Sequence, residues 1–323
     1  MSVVKVGILG CGQIVQKVHL RILRHLPGVR VAALAERDPA KLKQAGRLAP
    51  KAIHFNNYRE LLVSPEVEAV VICLPNALHA EAAMAAFEQR KHVYLEKPLA
   101  MNLQEGRAAL SAWKDSGKIG IIGFNYRFHP LYQTMKRRME LGKIKNLIGV
   151  RSVFSTVSWP LPEWKQTLET GGGVLTDLAS HHVDLVHFMF GRKIKKVFAQ
   201  LTSQMSEGDN GMLQFELENG TPIQSFFSLR AIDEDRWEIY THRKKLSLNR
   251  HHSFSWRKLL RPRYEPSYRA SLEHFITCIR QNRQAQPDFL DGYHTLQVIA
   301  AAEESVRTGQ VVSVDPVYEN SAR

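Results

Sequence analysis

Residues 3–26 read "VVKVGILGCGQIVQKVHLRILRHL". Val3 to Leu9 are rich in β-branched and apolar side chains and run into a glycine, whereas from Ile14 onward apolar residues recur at helical spacing. The pattern predicts a strand, a tight turn and a helix. The turn, Gly10-Cys11-Gly12-Gln13-Ile14-Val15, is a GxGxx sequence in the context that gives such glycines meaning. Gly10 permits the sharp turn, and Gly12 lets backbone amides approach a pyrophosphate at the helix N-terminus, where the helix dipole favours negative charge. Gly10, Gly12, Gln13 and Ile14 are therefore candidate dinucleotide contacts. Val15 stands where a third Gly or Ala is usual, which predicts a wider fit of helix on strand without loss of the phosphate contact.

The same alternation continues outward. A second strand, "VRVAALAE", ends at Glu36, whose carboxylate is placed to accept hydrogen bonds from ribose hydroxyls. Glu36 favours NAD because it repels a 2′-phosphate, while Arg37 beside it leaves NADP open. A polar helix from Pro39, the apolar run "VEAVVICLP", an Ala-rich helix, the strand "HVYLE", a helix over Leu103 to Ser116 and the strand "IGIIGF" follow. Repeated βα units of this kind predict a parallel, doubly wound Rossmann sheet over residues 1–123. Pro75, Asn76 and His79 fall at the strand-end edge of that sheet, where ligands bind; Asn76 serves equally well as a helix N-cap. At the end of "HVYLE", Pro98 fixes its own φ and turns Lys97 away from helical geometry, so Glu96-Lys97-Pro98 forms a stiff corner that aims the lysine.

Near Asn125 the pattern changes to longer strands without intervening helices, "VRSVFSTVSW", "MLQFELENG", "IQSFFSLR" and "RWEIYTH", which predicts a second, α+β domain over 124–323. Helices return at "YRASLEHFITCIRQ", where Tyr268, Leu272, Phe275, Ile276 and Ile279 form one apolar core stripe, and at about Gly292 to Thr308. Within "ETGGGVLTDLASHHVDLVHFMFG", Asp177 and His181 are i and i+4 and share a helix face, while His182 points elsewhere. Asp184 and His187 add N/O ligands to that helix, but His187 lies off the His181 face, so no metal site is expected.

Composition bounds the function. The 323 residues, 44% hydrophobic and 23% charged, suit a soluble protein of two domains. No apolar run approaches the roughly 20 residues of a membrane span, and the first residues show no charged leader with a cleavage site, so a cytoplasmic protein is expected. Cys11, Cys73 and Cys278 have neither disulfide nor zinc-site spacing. The formal charge of +13, concentrated between Arg236 and Arg263, favours an anionic ligand over a neutral one, with a solvated basic face as the plainer reading. No nucleic-acid-binding signature accompanies it.

In this order and spacing, "GCGQI", "LPNALH", "EKPLA", "NYRFHP", "GGGVLTDLASHHVDL" and "AAEESVRTGQVVSV" resemble the Gfo/Idh/MocA oxidoreductase family over nearly the whole chain. The resemblance implies a C-terminal domain with a large, open, mostly antiparallel sheet that often makes the homo-oligomer contact. It also implies a cis Lys97–Pro98 bond and reversible hydride transfer at a hydroxyl of a sugar, polyol or nucleotide sugar. Lys97 matches the family's EKP lysine, and Asp177 and His181 match its DxxxH pair. Glu96 and Lys97 are then expected beside the cofactor, with Lys97 stabilising the reacting oxygen, His181 as general base and Asp177 orienting the substrate or the imidazole. An imidazole ordinarily titrates near about 6.5, which suits a base. Tyr126 and Arg127 are candidate substrate contacts, or else a core Tyr beside a surface Arg. Two other functions stay open: a glycosidase that uses bound NAD for transient oxidation, and a non-catalytic dinucleotide sensor.

Overall fold

The computed structural model describes residues 3–157, 161, 163, 166–250 and 266–314. Its elements run β1 (Val4–Leu9), α1 (Leu20–Leu23), β2 (Val29–Ala35), α2 (Pro39–Leu48), β3 (Ile53–Phe55), α3 (Tyr58–Leu62), β4 (Ala69–Ile72), α4 (His79–Glu88), β5 (His92–Leu95), α5 (Leu103–Ser116) and β6 (Gly120–Ile122). Then come α6 (Pro130–Glu140), β7 (Leu147–Ser155), α7 (Ser180–Phe190), β8 (Ile194–Thr202), β9 (Asn210–Leu217), β10 (Pro222–Ser228), β11 (Glu234–Thr241), β12 (Lys245–Asn249), α8 (Pro266–Gln281), α9 (Phe289–Thr308) and β13 (Val312–Ser313). Among the described residues, no helix is long and apolar enough to cross a membrane.

The first six strands pair in the order β3-β2-β1-β4-β5-β6, all parallel, as the alternating βα pattern requires. The strand order reverses between β1 and β4, so the carboxyl ends of those strands border the crevice in which doubly wound sheets bind ligands. β1 and β4 are buried on both faces, which explains why they read as near-continuous apolar runs.

The compact unit built on this sheet comprises residues 3–129 together with 266–293. The expected division into 1–123 and 124–323 did not foresee the return of α8 to the N-terminal sheet. Its stripe is core, as expected, but the core is that of the first unit: Leu272, Phe275, Ile276 and Cys278 cluster with Val6, Ile8 and Tyr94, with Tyr268 and Ile279 packed alongside. The Arg280 guanidinium donates to the Pro27 and Gly28 carbonyls at 2.8 and 2.6 Å, fixing the far end of the helix.

The second unit holds a seven-stranded sheet, β12-β11-β7-β10-β9-β8-β13, antiparallel except for β7 beside β10. Alternation divides its faces. On one face Asp235, Phe154 and Phe227 lie in one cross-strand row and Trp237, Ser152, Ser225 and Leu213 in the next, all buried, and α7 packs its His182 ring against them. On the other face Val153, Phe226 and Met212 stand in register, each at least partly exposed. The basic stretch expected between Arg236 and Arg263 is only partly described, since residues 251–265 lie outside the described residues. Arg236, Lys245 and Arg250 within it pair with Glu234, Glu238 and Asp235, so these three are not a free basic face.

Candidate active site

The glycine turn has the shape its sequence calls for. Gly10 sits at φ +85°, and a Cβ there would lie 2.5 Å from the Cys73 carbonyl oxygen, so no other residue fits without moving β4. A Cβ on Gly12 would meet nothing within 4 Å, which leaves clear approach to the backbone of the turn. Gln13 is exposed and Ile14 half-buried at the same turn. Val15, fully buried, fills the third-glycine position, and the chain from Val15–His19 winds as a π turn before α1. The Cys11 N–H donates to Glu36 Oε2 at 2.8 Å and the Asp38 N–H to Oε1 at 3.1 Å. Glu36 is thereby fixed beside the turn, and each oxygen keeps lone-pair capacity for a ligand hydroxyl. Arg37 is exposed. An open Gly12, a strained Gly10 and an anchored carboxylate together fit a dinucleotide.

At the ends of β4 and β5 the chain is gripped from both sides of Lys97. Glu96 Oε1 lies 2.8 Å from Nε2 of His19, a fully buried ring on the π turn. A Cβ on Gly123 would stand 2.9 Å from Glu96 Oε2, so this glycine keeps room for the carboxylate. The Lys97–Pro98 bond is cis, and Lys97 is half-buried. His79 is only 1% exposed: its Nδ1 is 2.6 Å from the Pro98 carbonyl and its Nε2 2.9 Å from that of Leu74. Both nitrogens of this ring, a candidate ligand contact by sequence, are turned onto backbone. Asn76 is buried in a short 3₁₀ turn ahead of α4, whose N-cap position is Leu78, so Asn76 does not cap that helix; Pro75 before it is exposed. Tyr126 and Arg127 reverse the core-and-surface alternative: the tyrosine is half-exposed, and the arginine, 6% exposed, is paired with Asp291 at 3.0 Å. His19 was missed, because nothing in "VQKVHL" distinguishes a buried histidine from an ordinary helical one.

In the second unit, Gly171 and Gly173 take φ of +90° and +79°, and the Val174 N–H donates to the Gly208 carbonyl at 2.9 Å. The helix that follows is not α-helical throughout. Leu175–Ala179 forms a π turn: Ser180 Oγ bonds the Thr176 carbonyl at 2.7 Å, and the Ser180 N–H reaches back to Leu175. Asp177 lies in this wider turn, half-buried, and His181 in the first turn of α7, 8% exposed and edge-on to Phe154. Asp177 and His181 thus lie about one turn apart across the junction of the π turn and α7.

His182 faces the sheet and is fully buried. Its Nε2 is 3.3 Å from Asp235 Oδ1 and its Nδ1 3.1 Å from Ser152 Oγ, while the ring stacks on Phe154 and lies 4.3 Å from Trp237. Asp235 also accepts from the Tyr132 hydroxyl, at 2.8 Å on each oxygen, and from Arg250 Nε at 2.6 Å. Burial opposes a charge on Asp235, but the His182 and Arg250 donors outweigh it and hold the carboxyl below its usual range. Burial pushes the His182 imidazole down, so it serves as a neutral ring donating to Asp235 and accepting from Ser152. Among the described residues, no three His, Cys, Asp or Glu side chains group as metal ligands.

Family models match the chain in three stretches: an oxidoreductase family NAD-binding Rossmann fold over 4–124, the GFO/IDH/MocA C-terminal domain over 132–247, and an oxidoreductase family C-terminal alpha/beta domain over 228–314. An uncharacterized oxidoreductase of Synechocystis sp. is 30% identical over 268 residues, 75% of this chain and 71% of that one. The chain belongs to the Gfo/Idh/MocA oxidoreductase family. Membership makes residues 4–124 an NAD-binding Rossmann domain, as the glycine turn implied. The family resemblance extends to scyllo-inositol 2-dehydrogenase (NAD(+)) of Bacillus subtilis, 24% identical over 97% of this chain and 96% of its own. A solved levoglucosan dehydrogenase, in complex with NADH and L-sorbose, shares the fold with a TM-score of 0.86 at 22% identity, covering 98% of this chain and 100% of that one.

Proposed function

We propose that this oxidoreductase reversibly oxidises a secondary hydroxyl of a sugar or polyol. The observation that carries the reading is the corner at Lys97, a half-buried cation on a segment held through both neighbours, Glu96 by His19 and Pro98 by His79. Relatives named as inositol and levoglucosan dehydrogenases support the substrate class. Gly10, Gly12, Gln13 and Ile14 hold the pyrophosphate, Glu36 the ribose, and Pro75 and Asn76 border the nicotinamide. Bound NAD supplies the hydride acceptor. A carboxylate at the ribose disfavours a 2′-phosphate, so NAD is preferred over NADP despite the neighbouring Arg37. Lys97 donates to the substrate oxygen and stabilises the negative charge that develops on it. His181 takes the hydroxyl proton, and Asp177 orients substrate or imidazole. Of the two residues after Asn125, Tyr126 contacts the substrate, because the Arg127 guanidinium already serves Asp291. We place the reaction in the cytoplasm, a reducing compartment that suits the free thiols of Cys11, Cys73 and Cys278.

The test is a panel of inositols, levoglucosan, hexoses and nucleotide sugars with NAD and with NADP, read by nicotinamide absorbance. At least one cyclic polyol or sugar is expected to give stoichiometric NADH, with NAD favoured over NADP. If glycosides are cleaved with no net absorbance change, the transient-oxidation chemistry holds instead; no response to any member rejects the substrate class.

We further propose that the exposed face of the seven-stranded sheet joins a second copy of this chain. Its central row is apolar, Val153, Phe226 and Met212, and is flanked by charges of both signs, Lys196 with Glu216 and Lys245 with Glu238. Such a face can complement itself across a two-fold axis. Met212→Arg, at a residue 40% exposed, is expected to shift the mass seen by light scattering towards monomer; a wild-type monomer would end the proposal.

A further inference from the structure

His79 does no chemistry of its own in the proposed reaction, yet its ring joins the two strand ends that border the lysine corner. Leu74 follows β4 and Pro98 follows Lys97 directly, and the imidazole lies between their carbonyls at 2.9 and 2.6 Å. A carbonyl oxygen only accepts, so each contact needs a ring N–H; the neutral imidazole has one and the imidazolium two. Burial pushes the ring down from its ordinary value, the two carbonyls and Glu96 pull it up, and Lys97 pushes it down. In either protonation state at least one carbonyl is bonded, and no water reaches a side chain this buried to replace that bond. On the other side of the lysine, Glu96 is fixed by His19.

We infer that His79 is a positioning residue for Lys97: by bonding the backbone next to the lysine, it fixes where the ammonium lies. This inference rests on the role proposed for Lys97. A misplacement of about 1 Å in a catalytic group can cost on the order of 10²-fold in rate. A histidine that merely filled the core would instead affect stability and leave turnover per folded molecule unchanged.

The experiment is a double-mutant cycle. His79→Ala and His79→Asn are made with Lys97 intact and with Lys97→Ala, and hydride transfer is followed both at steady state and in single turnovers with the best substrate of the panel. With Lys97 present, His79→Ala is expected to lower kcat by about tenfold to a hundredfold, with KM for NAD changed less than about threefold. His79→Asn, whose amide NH2 can still donate to a carbonyl, should recover part of that loss. In the Lys97→Ala background the same substitutions should change the residual rate less than about twofold, because the group they position is gone. Equal losses in both backgrounds, an unchanged kcat with a lowered Tm, or failure of both variants to fold would assign His79 to stability alone and overturn the inference. Should no substrate be turned over, or Lys97→Ala have no measurable residual rate, amide hydrogen exchange of the NAD-bound protein decides independently. Faster exchange in His79→Asn confined to residues 72–80 and 94–102 supports the brace, and unchanged or uniformly faster exchange sinks it.

Discussion

Lys97→Ala is expected to lower turnover on the order of 10²- to 10³-fold while leaving the affinity for NAD within about threefold of wild type. That is the scale seen when one preorganised donor to a developing oxyanion is removed. The asymmetry between rate and binding follows from the fold: the pyrophosphate and ribose contacts are built from the Gly10–Gly12 turn after β1 and from Glu36 after β2, whereas Lys97 follows β5. Lys97→Arg should rescue little, since a planar fork cannot replace a point charge at a stem held this tightly. His181→Ala is expected to lower the oxidation rate by about 10²- to 10⁴-fold, the range for loss of a positioned general base. Titrations of NAD by fluorescence, with kcat for each variant, check both claims. Wild-type turnover in either variant, or NAD affinity that collapses along with the rate, would remove these residues from the roles proposed.

The parts of the fold that could be read from sequence were those set by short-range pattern. β1, its glycine turn and the helix after it followed from period and from glycines placed where the turn requires them, and the parallel pairing of β1 to β6 follows once the βα units alternate. Strand β8 escaped notice because Lys195 and Lys196 interrupt its apolar alternation, where its pairing with β9 is also irregular between Ile194 and Lys196. Helix α6 was hidden among expected strands: only Tyr132 and Met135 are buried along it, too sparse a stripe to declare a helix. For α8 the apolar stripe was plain but its partner was not, since periodicity says which face is buried and never against what. The site divides in the same way. Gly10, Glu36 and the Lys97 corner were legible because backbone geometry places them. The direction of the His79 ring, the π turn under Asp177 and the partners of His182 depend on atoms far away in sequence, Asp235 among them.

Asp235→Ala is expected to destabilise the second unit by about 3–5 kcal/mol, the range for removing one partner of a buried ion pair. The carboxylate is fully buried and is the common acceptor for Tyr132, His182 and Arg250. Its loss removes the shared acceptor of a guanidinium, a phenol and an imidazole N–H, the last two fully buried, and the loss opposite the guanidinium charge dominates the cost. Asp235→Asn keeps the shape and some of the acceptor capacity, so its cost should be smaller. The double variant Asp235→Ala/Arg250→Met should be less destabilised than Asp235→Ala alone, because the cation leaves together with its carboxylate. The pH dependence has a definite sign. The Asp235 carboxyl is depressed in the fold, so its stabilisation is present above the unfolded carboxyl value of about 3.9 and is lost as pH falls through the lower folded value. His182 is also depressed, as a base that burial keeps neutral. The unfolded chain therefore binds its proton first, and stability declines as pH falls below about 6.5. Urea unfolding followed by tryptophan fluorescence in a Trp113→Phe background reports this unit, because Trp113 belongs to the first unit and Trp237 lies against the His182 ring. A double variant that unfolds as easily as the sum of its two single changes would show that the charge of Arg250 is not what makes Asp235 indispensable.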